Sequence, residues 1–156
     1  MLSIDTITSI EDEYHSSPHT ASLGRAYDAL VVRWKEGARD RETALHLLFL
    51  IWYGQAEPPY LTGLKDVNRT RIIELFHRLG GEFSTDPEVL LVVTIMCENA
   101  PWALGDEQYW REIGTRFNKR LREQPDSGLS RQTFARRGAY GHYFANKVEK
   151  FISRPA

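Results

Sequence analysis

Two segments of this 156-residue chain are apolar on nearly every helical face. The first follows Asp40 and carries no Asp, Glu, Lys or Arg over residues 43–56, and the second follows Asp86-Pro87 and is equally free of charge over residues 89–97. Aspartate before a helix and proline at its first position are typical helix starts, so we predict two helices. Neither charge-free stretch reaches the roughly 18 apolar residues that a membrane span requires. Both helices must therefore be buried beneath other helices.

Polar and Gly/Pro-rich breaks divide the rest of the chain into further helical segments. The alternation typical of a run of strands is missing, and the length suits one domain, so we predict an all-α domain over residues 21–156. Residues 1–20 lack sustained apolar periodicity and are predicted to form an acidic N-terminal arm that need not be rigid. The six predicted helices span approximately residues 23–36, 40–54, 66–79, 86–99, 106–123 and 130–152.

A faint internal repeat relates the two apolar helices. Residues 47–52 and 90–95 are offset by 43 positions, and each run precedes a short segment that ends in proline. A period of about 40–47 residues resembles the stacked helix pairs of HEAT or armadillo architecture. Two arrangements stay open: a short stack of three antiparallel hairpins, or a compact irregular bundle.

Charge is divided unevenly along the chain. Residues 1–110 contain 9 Lys and Arg residues and 17 Asp and Glu residues, so this part is acidic. Residues 111–156 contain 11 Lys and Arg residues and 4 Asp and Glu residues, so this part is basic. Either the two parts pack together and neutralise each other, or the basic part presents a surface for an acidic protein, nucleic acid or anionic lipid.

The N-terminal residues bear on the cellular location, and the single cysteine bears on disulfide formation. No basic residue precedes the acidic Glu11-Asp12-Glu13, which is the opposite of a targeting peptide, so we expect a cytoplasmic protein. Cys97 cannot form an internal disulfide, and no adjacent cation activates its thiol, so we expect it to be packed in the core.

Basic and tyrosine side chains recur at intervals of three and four residues along the last predicted helix. This spacing places them on one face, and Phe134, Val148 and several small residues occupy the opposite face. We therefore expect an exposed stripe that consists of Arg136, Tyr140, Tyr143, Lys147, Lys150 and Arg154. Such a stripe suits an acidic protein surface or stacked nucleic-acid bases, although an ordinary solvated helix face has the same pattern.

Four residues remain as catalytic candidates. Glu42, His46 and Tyr53 share one side of the second predicted helix, and Glu98 lies at the end of the fourth, where burial would raise its pKa. The alternative is that each is a polar group satisfied by its neighbours, without a catalytic role. No phosphate-binding loop or hydrolase motif accompanies them, and we predict neither a metal site nor a cofactor.

These patterns favour a non-catalytic interaction module of adaptor or regulatory type. It would bind an acidic protein or peptide through the basic, tyrosine-bearing face of the last helix. One alternative is an RNA- or DNA-binding protein that uses the same surface. Another is an enzyme or small-ligand binder with a pocket between the second and fourth predicted helices. A homodimer is compatible with each hypothesis.

Overall fold

The computed structural model describes residues 1–16 and 21–154, and all regular structure within them is helical. The predicted all-α class is confirmed for this part of the chain. The predicted count of six helices is not, because α1 and the one-turn α4 are additional. In chain order the helices are α1 Ile4–Ser16, α2 Leu23–Lys35, α3 Arg41–Ala56, α4 Pro59–Thr62, α5 Ile72–Arg78, α6 Pro87–Asn99, α7 Glu107–Arg122 and α8 Gly138–Ile152.

Helices α3 and α6 lie in the interior, as their composition predicts. Every side chain in residues 43–52 and 88–97 is buried. The side chain of Asp40 caps α3 by accepting a hydrogen bond from the backbone N–H of Thr43. The side chain of Asp86 caps α6 in the same way, by accepting from backbone N–H groups of its first turn. Each fully buried aliphatic or aromatic side chain contributes about 1.5–3 kcal/mol, so these two helices supply much of the hydrophobic stabilisation. Across residues 1–16 and 21–154, no helix has both the length and the apolar character that crossing a membrane requires.

The other helices cover this interior in an order that does not confirm three consecutive hairpins. Helices α2 and α5 pack on α3, α7 packs along α6, and α1 contacts both α2 and α8. The third and fourth predicted helices correspond to α5 and α6, yet α6 makes its main contact with α7. Similarly, the α-helix on which α8 packs most is α1 and not α7.

The N-terminal segment differs from the expected arm, because residues 4–16 form α1. Ile7 and Glu11 are fully buried in this helix, and Tyr14 packs against the core. A glutamate lies at the centre of the buried face, so a search for apolar periodicity does not find it. Residues 17–20 of the predicted arm lie outside the described residues.

The last predicted helix is interrupted before α8. A short 3-10 turn covers Arg131–Phe134, and α8 starts only at Gly138. Arg136 and Gly138 adopt left-handed backbone conformations with φ of +60° and +68°, which a right-handed helix cannot continue through. Arg136 therefore lies in a turn and not on α8. This conformation costs an arginine about 1 kcal/mol or more, so surrounding contacts must hold it.

Helices α6 and α7 approach each other closely where Gly114 faces Cys97. A Cβ atom on Gly114 would lie 2.6 Å from the Cβ atom of Cys97, which is closer than carbon atoms can approach. Cys97 is buried, and this burial raises the pKa of its thiol to about 12. The thiol therefore stays protonated at neutral pH and behaves as a packing group.

We predict that Gly114→Ala destabilises the protein by about 1–3 kcal/mol, because the new methyl group forces α6 and α7 apart. Alanine is the better helix former by about 1 kcal/mol, so the clash must exceed this gain. Urea unfolding measures the difference. Thr115→Ala, at an exposed neighbouring position, serves as the control and should change stability by less than about 0.5 kcal/mol. A Gly114→Ala protein as stable as the wild type would contradict the close contact.

Candidate functional site

His46 is fully buried on α3, with one carboxylate at each ring nitrogen. Its Nδ1 lies 2.6 Å from Oε2 of Glu11, and its Nε2 lies 2.8 Å from Oε1 of Glu42. An ionised carboxylate only accepts hydrogen bonds, and a neutral imidazole donates from one nitrogen, so both contacts require a protonated ring. Burial by itself lowers the pKa of His46, but Glu11 and Glu42 outweigh this effect and raise it to about 9. The ring is therefore positively charged at neutral pH.

Arg137 connects this group to α6. Its Nε and Nη2 donate to the two oxygens of Glu42 at 3.0 and 2.9 Å, and Nη2 also lies 2.7 Å from Oε2 of Glu88. The fully buried Tyr140 donates its hydroxyl to the same oxygen of Glu88 at 2.5 Å. Burial raises the pKa of Tyr140 far above its ordinary value, and Glu88 raises it further, so the phenol remains a donor.

Arg41 lies at the outer edge of this cluster of charged side chains. Its guanidinium donates to both oxygens of Asp86 at 2.8 and 3.0 Å and reaches Glu88 at 3.3 Å. Burial would raise the pKa of Glu42, but His46 and Arg137 hold it below its ordinary value. The connected side chains join α1, α3, α6 and the start of α8. We call them the buried charge network: Glu11, Arg41, Glu42, His46, Asp86, Glu88, Arg137 and Tyr140.

The buried charge network also fixes the turn before α8. Oε1 of Glu11 accepts the backbone N–H of Tyr140 at 3.3 Å, and this amide belongs to the first turn of the helix, where amides lack helical partners. A Cβ atom on Gly138 would lie 2.5 Å from the same oxygen, so the position needs glycine for space as well as for its φ angle. Arg137 points inward to its carboxylates, and Arg136 beside it is exposed.

An open groove of about 700 Å³ lies between the C-terminal end of α1 and residues 131–145. The exposed side chains of Arg131 and Arg136 line it. Within the described residues Arg136 has no hydrogen bond or ion pair, and Arg131 reaches only the carbonyl of Ala145 at 3.4 Å. Asp12 is the one carboxylate among the described residues that line the groove, and it lies 3.7 Å from His142. We call this site the basic groove.

Two exposed histidines, His15 and His142, also line the basic groove. The rings of His15 and His142 have centroids 4.2 Å apart. Partial burial lowers the pKa of His15, and the adjacent His142 lowers it further. His15 is therefore mainly neutral at pH 7 and adds little positive charge to the groove.

The expected stripe on the last helix is not continuous. Arg136 lies in the turn, and Tyr140 is fully buried, so the expected exposure of Tyr140 is wrong. The face of α8 that carries Tyr140 packs on α3. The centroid of the Tyr140 ring lies 5.0 Å from that of the His46 ring. Tyr143 and Lys147 are half-buried, and the Lys147 ammonium lies 4.8 Å from the centroid of the Tyr143 ring.

The remaining stripe residues lie near the C-terminal end of α6. Lys150 and Arg154 are exposed, and Arg154 lies 3.2 Å from both carboxylate oxygens of Glu98. Glu98 is itself exposed, so the burial on which its candidacy as a catalytic residue depended does not occur. The apolar environment of α6 ends at Cys97, and Glu98 follows it on the last turn of the helix.

The four catalytic candidates do not converge. Glu42 and His46 are bonded to each other, but His46 is fully buried. The hydroxyl of Tyr53 faces that of Tyr14 at 3.4 Å, and Glu98 faces solvent and Arg154. A pocket formed by all four groups between α3 and α6 does not occur among the described residues.

The sequence patterns did not indicate five of the residues at these sites: Glu11, Glu88, Arg131, Arg137 and His142. One signal was present for Glu11, because it lies four positions after Ile7 and three before Tyr14, on the face that α1 buries. No comparable signal existed for Arg137. Two consecutive arginines do not indicate which one turns inward, and its carboxylate on α3 is 95 residues away in sequence.

Comparisons with protein-family models, with curated proteins and with solved structures found no match to this chain. Among residues 1–16 and 21–154, no group of three or more His, Cys, Asp or Glu side chains is arranged to hold a metal ion.

We predict that the protein loses stability as the pH rises from 6.5 through 9, because His46 loses its proton. Its pKa is about 9 in the folded state against 6.5 ordinarily, so its contribution is complete below pH 6.5 and disappears as the pH passes through 9. This shift corresponds to at most about 3 kcal/mol. Urea unfolding at pH 6.5 and at pH 9 should show that the free energy of unfolding is about 1–3 kcal/mol lower at the higher pH.

His46→Gln, which cannot take up the proton, should remove most of this pH dependence. His77→Gln, at an exposed position on α5, is the matched control and should retain it. A wild-type protein that is equally stable at both pH values would contradict a protonated His46.

Proposed function

We propose that this protein is a non-catalytic interaction module that binds an acidic segment of a partner protein in the basic groove. The observation that carries the proposal is the pair formed by Arg131 and Arg136. Both guanidinium groups are exposed on one groove, and Asp12 is the one carboxylate among its described lining residues. Planar guanidinium groups bind carboxylates through paired, charge-assisted hydrogen bonds.

The position of Arg136 supports a binding role. Arg137 is anchored inward by Glu42 and Glu88, and Gly138 is fitted against Glu11, so the turn holds Arg136 in its left-handed conformation. Strained backbone conformations persist where the surrounding structure determines them, and they are frequent at ligand sites. Because the turn is held before a partner arrives, little backbone entropy is lost at this residue on binding.

The lining of the basic groove favours a protein segment over nucleic acid. Single-stranded nucleic acid binds on exposed aromatic side chains that stack with its bases. Among the described lining residues, Phe134 is the one Phe, Tyr or Trp, and its side chain is buried. Tyr140, which was expected to supply such a surface, is buried as well. The RNA- or DNA-binding alternative thus loses Tyr140 as a stacking residue, whereas carboxylate binding needs only the arginines.

The finer parts of the sequence-based hypothesis stay predictions. They are the adaptor or regulatory role, the repeat-like stacking of helix pairs, the cytoplasmic location and the homodimer. The proposed binding does not depend on any of them, because one chain supplies the whole basic groove.

We predict that Arg136→Glu weakens binding of an acidic probe peptide at least about tenfold. The probe is a fluorescein-labelled peptide of about 12 glutamates, about 40 Å long when extended. The substitution replaces an attractive charge by a repulsive one at the groove. Fluorescence anisotropy at about 50 mM salt measures the affinity, since exposed charges are only weakly screened at this ionic strength.

Lys119→Glu is the matched control for this experiment. It makes the same change in net charge at an exposed position of α7, outside the basic groove, and should leave the affinity within about twofold. Equal loss in both variants would contradict the proposal, because the peptide would then respond to net charge alone. A labelled thymidine oligonucleotide that binds the groove more tightly than the peptide would replace the proposal by the nucleic-acid alternative. No detectable binding of the peptide would also overturn it.

A further inference from the structure

A second cavity, of about 220 Å³, opens beside the basic groove. The two cavities share His15 and His142 as lining residues, so one extended chain can pass from one to the other. The walls of the smaller cavity are mostly aromatic. We call it the aromatic pocket, and its rings belong to Tyr14, Phe49, Tyr53 and Tyr143.

The aromatic pocket is formed without a ligand, because its rings pack on one another. Phe49 is buried and stacks on Tyr53, with ring centroids 5.2 Å apart. Tyr143 lies 5.4 Å from Phe49, and Tyr14 meets Tyr53 edge-on at 6.3 Å. Each ring is thus held by at least one other ring, in the geometries that aromatic pairs prefer.

The size and charge of the aromatic pocket restrict its occupant. Its volume is below the roughly 300–1,000 Å³ of typical small-molecule sites and suits one side chain. The Lys147 ammonium already lies 4.8 Å from the centroid of the Tyr143 ring, so it disfavours a second cation and attracts carboxylates nearby. Burial, with a smaller effect of Glu57, raises the pKa of Tyr143 to about 12, so this wall is uncharged at neutral pH. An uncharged aromatic side chain flanked by carboxylates matches these walls.

We propose that the aromatic pocket takes one phenylalanine-like side chain of the acidic segment that binds in the basic groove. This inference rests on the proposed function and specifies the partner: an acidic peptide with an aromatic anchor. Buried aromatic anchors supply most of the free energy in many interfaces, and charges at their rim set register and association rate. The aromatic pocket would hold the anchor, and Arg131 and Arg136 would supply the charges at its rim.

Two labelled peptides of about 12 residues test the inference. Both consist of glutamates, with a central phenylalanine in one and a central alanine in the other. Burial of a phenylalanine side chain is expected to make the phenylalanine peptide bind wild-type protein at least about tenfold more tightly. Asn146→Trp introduces a large ring at an exposed residue that lines the pocket and should abolish this preference, while the alanine peptide still binds. Gln108→Trp, at an exposed position of α7, is the control and should keep the preference.

The outcomes separate the two proposals. If both peptides bind wild-type protein equally, and Arg136→Glu weakens both, the aromatic anchor is wrong and the basic groove stands. If the phenylalanine preference survives in Asn146→Trp as in Gln108→Trp, the side chain binds elsewhere and the inference is overturned. If neither peptide binds, the proposed function fails, and the aromatic anchor fails with it.

Discussion

A positively charged imidazole buried between two carboxylates is the interaction on which this structure depends. Glu11 comes from α1, and His46 and Glu42 come from α3, so the contact ties the N-terminal helix to the interior. None of these charges is stable in the core alone, because burial of an uncompensated ion costs several kcal/mol. Removing one partner of such a pair typically costs about 3–5 kcal/mol. The side-chain contact of α1 with α3, and with it the position of α1 against α8, is therefore coupled to the protonation of one side chain.

The same contact connects the interior to the surface. Arg137 is drawn inward by Glu42 and Glu88, Gly138 fits against Glu11, and Arg136 is exposed as a consequence. The basic residues of the C-terminal part thus fall into two groups. Some basic residues of the C-terminal part neutralise acidic residues of the rest, as Arg137 does. Others, such as Arg136, have no partner among the described residues, and these are the residues that we propose to bind an acidic segment.

Fold and site differ in how much of them the sequence predicts. The interior helices were predictable because their aspartate caps and charge-free runs are local signals, and the same composition requires burial. Helix α1 was missed because Glu11 replaces an apolar residue at the centre of its face. The break before α8 was missed because it is held by Glu42, far away in sequence. Contacts between distant residues leave no local pattern, and the site is built from such contacts.

The most direct test of this account is a pH titration of His46 by two-bond ¹H–¹⁵N NMR of its imidazole ring. We expect both ring nitrogens to carry protons at neutral pH and the ring to titrate near pH 9. The backbone amides of Gly138 and Tyr140 should shift in the same step, because Glu11 contacts both the ring and the Tyr140 amide. A ring that loses its proton near its ordinary pKa of 6.5, or amides that do not follow it, would contradict the account.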